Sequence, residues 1–76
     1  MAERLLDATG LSCPLPILKT RKALREMAPG QTIEVLVTDA RAFKDFPEFC
    51  QTSGHILLDS STLEGNVYRF VIKNGG

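Results

Sequence analysis

Two prolines set two residues apart, Pro14 and Pro16, constrain this chain more than any other feature. Inside a helix each would remove a hydrogen bond and clash with the preceding turn. In a helix's first turn the missing N–H groups have no acceptor to lose. The pair therefore marks a helix start. With Cys13 as the N-cap, Pro14 falls at N1 and Pro16 at N3, and the Leu15 N–H is the free donor of the turn, aimed at the cap side chain. With Ser12 as the cap, the register slides by one and Cys13 moves to N1. In the first register the capping atom is a sulfur. The helix dipole and the Leu15 N–H both favour a thiolate, so its pKa is expected to fall from about 8.5 toward about 7. Cys13 is thus the candidate nucleophile, and Pro14 and Pro16 are its structural frame.

The rest of the chain alternates strand and helix patterns. Arg4 to Ala8 reads as a first strand, ended by Thr9-Gly10. The helix that follows is expected to run to about Ala28, where Pro29-Gly30 stops it. At about 100° per residue, Ile17, Thr20, Leu24, Met27 and Ala28 share its core face. From Thr32 to Thr38, Ile33, Val35 and Val37 point one way and Thr32, Glu34 and Leu36 the other, which is a half-buried strand. Asp45 and Glu48 have capping-box spacing with Pro47 in the first turn, so a second helix is expected from there to about Ser53, with Gly54 at C′. His55 to Asp59 and Val67 to Lys73 read as strands joined through Glu64-Gly65-Asn66, a hairpin. Alternation alone does not say whether Tyr68, Phe70 and Ile72 or the intervening residues face the helices. The order βαβαββ predicts one domain over 1–76. Its class is an α/β two-layer sandwich, a four-stranded mixed sheet with two helices on one face. The first two strands should be parallel through a right-handed crossover and the last two antiparallel.

Composition narrows the function. Nine basic and nine acidic residues balance, which argues against direct nucleic-acid binding. No apolar run approaches the ~20 residues of a membrane span, and the opening residues lack the apolar stretch of a secretory signal. A cytoplasmic monomer with reduced thiols is the expectation. Cys50, beside Phe46 and Phe49, reads as a core thiol, with a resolving role toward Cys13 as the alternative. His55 reads as a strand-start residue bonded to backbone, with a role as base for Cys13 as the alternative. Cys13, Cys50 and His55 make a poor zinc set, because no closely spaced ligand pair exists. No metal or cofactor is expected. On the first helix, Leu15 and Leu18 point away from the predicted core near Lys22 and Arg25. Together these four residues form a candidate docking surface for an acidic partner.

The landmarks resemble those of the TusA/SirA family of small sulfur carriers across essentially the whole chain. They run from Asp7-Ala8-Thr9-Gly10-Leu11 into Cys13-Pro14-Leu15-Pro16, the family's Cys-Pro-x-Pro signature. They continue through Pro29-Gly30, Thr38-Asp39, the segment Lys44 to Cys50, and Gly54-His55. Tyr68 to Lys73 leans toward the TusA branch. The resemblance implies the same sandwich and a persulfide on Cys13. It also implies sulfur arriving from a cysteine desulfurase or another donor and leaving to an acceptor protein such as a TusBCD-like complex. In TusA itself the relay ends in tRNA 2-thiouridine; relatives serve sulfur oxidation or molybdenum-cofactor supply. A thiol redox protein using Cys13 and Cys50 is the competing reading, and Cys50 lies outside the signature.

Overall fold

The computed structural model describes residues 2–76. Among the described residues the elements are β1 (Arg4–Ala8), α1 (Leu15–Arg25), β2 (Thr32–Val37), α2 (Ala42–Ser53), β3 (Ile56–Thr62) and β4 (Tyr68–Lys73). A 3₁₀ turn, Glu64–Asn66, joins β3 to β4. The sheet order is β1-β2-β4-β3. β1 runs parallel to β2, while β4 is antiparallel to both β2 and β3. The second crossover, through α2, thus leaves a gap one strand wide, and the hairpin returns β4 into it.

The alternation in β2 sorts the two faces. Ile33, Val35 and Val37 are fully buried beneath the helices, and the register pairs them with Ile72 and Phe70 of β4, also fully buried, and with half-buried Tyr68. That settles the open question about β4: Arg69 lies on the other face, bridging Glu34 at 2.9 Å and Asp59 at 3.0 Å. α1 packs over β1 and β2, and α2 over β3 and β4. Phe46 of α2 stacks on Phe70 with centroids 4.7 Å apart. Such an aromatic pair contributes about 0.5–1.5 kcal/mol beyond area burial.

The boundaries of α1, α2 and β3 differ from expectation. α1 has Pro14, not Cys13, at its N-cap, so Leu15 is N1 and Pro16 is N2. It ends at Arg25 rather than near Ala28, which is exposed; Pro16, Thr20, Ala23 and Leu24 form its buried face, with Ile17 and Met27 half-buried. α2 begins at Ala42, three residues before Asp45, and Pro47 lies inside it. Its first turn is nucleated by Asp39, whose carbonyl accepts the Ala42 N–H and whose carboxylate accepts the Arg41 N–H. The Asp45–Glu48 spacing is therefore not the cap. β3 continues past Asp59 to Thr62. It is an edge strand, where Ser60, Ser61 and Thr62 pair with β4 on one side only, and a bulge falls between Leu57 and Asp59.

Candidate functional site

Parallel pairing of β1 and β2 brings their carboxyl ends, and the two loops that follow them, side by side. The first loop is folded by its own polar residues. Asp7 accepts hydrogen bonds from the Thr9 N–H and hydroxyl, and the Gly10 N–H donates to Thr38 Oγ1 across the loops at 2.9 Å. The Leu15 N–H donates to the Ser12 carbonyl at 3.0 Å. It is therefore not aimed at the Cys13 sulfur. Cys13 stands one residue before the cap, half-exposed, and its peptide bond to Pro14 is cis.

What meets Cys13 comes from the second loop and α2. Its N–H donates to Asp39 Oδ2 at 3.0 Å, and its Sγ–H donates to Asp45 Oδ2 at 2.6 Å. Asp39 is also clasped by Arg41, Nη2 to Oδ2 at 2.9 Å. Those donors hold the Asp39 carboxyl well below the usual carboxylate range. The Cys13 thiol moves the opposite way from expectation. The hydrogen bond to Asp45, desolvation and the Asp45 charge push its pKa up, against a smaller lowering by Arg41. The helix dipole is present, but a formal charge in contact outweighs the partial charge of a helix end. These contacts favour the thiol over the thiolate at Cys13.

Cys13 borders a groove between α1 and α2 of about 490 Å³, lined also by Ile17, Arg21, Glu48 and Phe49. Cys50 is 3% exposed and belongs to the core; burial pushes its thiol up to about 11. It lines neither hollow that Cys13 borders. His55 faces a different hollow, of about 540 Å³, beside Arg25 and Asn74. Its Nδ1 accepts the Gly75 N–H at 3.0 Å, the backbone bond expected of it. Pro16 is buried and Pro14 exposed, framing the helix start one register later than expected. On the outer face of α1, Leu15 and Leu18 are 45% and 49% exposed. Lys22 and Arg25 are exposed as well. Among the described residues, neither cation makes an ion pair.

Asp39, Arg41 and Asp45 are the site residues that the sequence reading passed over. Their signal was positional, since a loop at the carboxyl end of one parallel strand must meet the loop of its neighbour.

The profile described as sulfurtransferase TusA matches residues 4–74. Over 74 residues the chain is 47% identical to a candidate sulfur carrier protein of Neisseria meningitidis serogroup A, covering 97% of this chain and 99% of that one. Over 68 residues it is 46% identical to the sulfur carrier protein TusA of Allochromatium vinosum, covering 90% and 88%. The crystal structure of a SirA-like protein from Desulfitobacterium hafniense superposes with a TM-score of 0.84 at 24% identity, over 96% of this chain and 99% of that one, and supports the fold. A match of this length and identity, on a chain whose half-exposed cysteine stands just before its first helix, is decisive: the protein belongs to the TusA family of sulfurtransferases and sulfur carriers.

Proposed function

We propose that the protein accepts sulfane sulfur as a persulfide on Cys13 and relays it to an acceptor protein, in the pathway to tRNA 2-thiouridine. The observation that carries this reading is the contrast between the two thiols. Cys13 is half-exposed on a groove, whereas Cys50 is sealed in the core. In loading, Cys13 Sγ attacks the outer sulfur of a donor persulfide, R–S–SH. The new Sγ–S bond forms as the donor's S–S bond breaks, and the proton from Sγ ends on the departing R–SH. Delivery repeats the exchange, with an acceptor thiolate attacking the outer sulfur and Cys13 leaving. Neither step needs an oxidant, and neither needs a cofactor on this chain. The burial of Cys50 argues against a redox pair with Cys13.

The donor in this reading is a cysteine desulfurase and the acceptor a TusBCD-like complex, both docking on the face of Leu15, Leu18, Lys22 and Arg25. No described helix is long and apolar enough to cross a membrane; the cytoplasm is the proposed compartment. The test is intact mass under non-reducing conditions after incubation with a cysteine desulfurase, pyridoxal phosphate and cysteine. Wild type and Cys50→Ser should gain one sulfur atom that reductant removes, and Cys13→Ser should gain none. Gain that survives in Cys13→Ser would move the cargo to another residue and overturn the assignment.

A further inference from the structure

The charges around Cys13 are not those of a thiol built to be ionised. From the loop before α2 come Asp39 and Arg41, from α2 Asp45 and Glu48, and from α1 Arg21 across the groove. Asp39 and Arg41 satisfy each other, and the Cys13 N–H completes the Asp39 carboxylate. Asp45 is different. Among the described residues the hydrogen bond its side chain accepts is the one from Cys13 Sγ–H. It also stands in the first turn of α2, where the helix dipole favours an anion.

That bond belongs to one chemical state of the cysteine. In Cys13–S–SH the inner sulfur has exchanged its hydrogen for a second sulfur, so it has nothing to donate. The outer sulfur carries the proton and ionises more readily than a thiol, and an anion there is repelled by a carboxylate in contact. We propose that Asp45 is a positioning residue that distinguishes the unloaded from the loaded carrier, holding the free sulfur inward as a thiol and turning the persulfide's outer sulfur away from α2 toward an approaching acceptor. The inference rests on the persulfide reading of Cys13. It deepens that reading by giving the empty carrier low reactivity and the loaded one an outward-facing sulfur.

The experiment follows alkylation of Cys13 by iodoacetamide against pH, in the full-length chain, before and after loading with polysulfide. The variants are Asp45→Asn and Asp45→Ser, which remove the charge in two ways, and Asp45→Glu, which returns it. In the unloaded protein both neutral variants should shift the profile to lower pH. Thiolate fraction rises tenfold per pH unit while nucleophilicity falls with a Brønsted slope near 0.4–0.5, so the rate at pH 7 should rise roughly three- to fourfold per unit of midpoint. Asp45→Glu should move the profile back toward wild type, and the loaded profiles should differ less between variants than the unloaded ones. Unloaded profiles that coincide, in whichever neutral variant melts like wild type, would overturn the hold on the thiol. Loaded profiles that shift as far as the unloaded ones would overturn the outward turn. If neither polysulfide nor a desulfurase loads Cys13, the carrier reading falls and the load-state distinction with it. The unloaded profiles would still decide whether Asp45 holds the thiol.

Discussion

Cys50 and Asp39 titrate at opposite ends of the pH range, and each ties a single side chain to folding. Cys50 is neutral and buried in the native state, with its thiol pushed up to about 11; unfolded, it ionises near 8.5. Its contribution is therefore complete below about pH 8.5 and is lost as pH rises toward 11, because only the unfolded chain sheds that proton. Denaturant melts from pH 7 to 10 should show stability falling, and the fall should be shallower in Cys50→Ala. Cys50→Ser, which buries a hydroxyl among Phe46 and Phe49, should cost about 1–3 kcal/mol at neutral pH. Asp39 runs the other way. Its native carboxyl is held far below the unfolded value, so its stabilisation is present above about pH 4 and disappears as acid titrates the native group. The stability gap between wild type and Asp39→Asn, from urea melts, should accordingly be widest at pH 7 and shrink below pH 4; a constant gap would refute the ion-pair origin. Cys13 was legible as the candidate site because Pro14 and Pro16 follow it in sequence. Its protonation state was not, because the two carboxylates that set it lie 26 and 32 residues away.

At the scale of elements, β1 and β2 were read almost as they stand, since their apolar pattern is a local signal: they fall on Arg4–Ala8 and Thr32–Val37, whereas β3 runs three residues past its expected end. Helix ends were read less well, because distant groups set them. The carboxyl end of α1 is closed by Asn74, 4% exposed, whose side-chain amide donates to the carbonyls of Leu24 at 3.1 Å, Met27 at 2.9 Å and Ala28 at 3.3 Å. The Asn74 carbonyl also accepts the Gly30 N–H, and its own N–H donates to Gln31. One residue after β4 thus ties the α1–β2 turn to the end of the sheet, and no local periodicity announces it. Asn74→Ala should leave the Met27 carbonyl without a donor, while those of Leu24 and Ala28 keep the N–H groups of Met27 and Gln31, at a cost of about 1–3 kcal/mol. In a domain of this size each kcal/mol corresponds to roughly 4–8 °C in Tm, so calorimetry reads it directly. A change under 1 °C would show that solvent replaces the amide without penalty. Gly54 is the contrasting case of a locally encoded end. It sits at φ 82° with its N–H on the Cys50 carbonyl, the left-handed stop that a glycine after an apolar periodic run foretells.

For the whole molecule, covering one sheet face with two helices leaves Cys13 at the edge where both loops and both helices meet. The parallel β1–β2 pair was deducible from a helical crossover, and with it the proximity of the two loops. The placing of β4 between β2 and β3 was not, because a hairpin can return on either side of its partner strand. The same layering leaves Leu15, Leu18, Lys22 and Arg25 exposed on α1, the helix that follows Cys13. A carrier must hand its cargo to more than one partner, which favours such a face over an enclosing pocket. Exposed cations contribute to association mainly through long-range attraction, which raises the on-rate and weakens as salt shortens the Debye length to about 8 Å at physiological ionic strength. The double reversal Lys22→Glu, Arg25→Glu should therefore weaken binding to a cysteine desulfurase by about tenfold or more at low salt, mostly through slower association, and by less at high salt. Folding should be unaffected, because neither side chain forms an ion pair among the described residues. Surface plasmon resonance at two ionic strengths, with thermal melts alongside, separates the outcomes. A loss of affinity independent of salt would assign the contact to packing by Leu15 and Leu18. Unchanged affinity with an unchanged melt would remove this face of α1 from the docking surface.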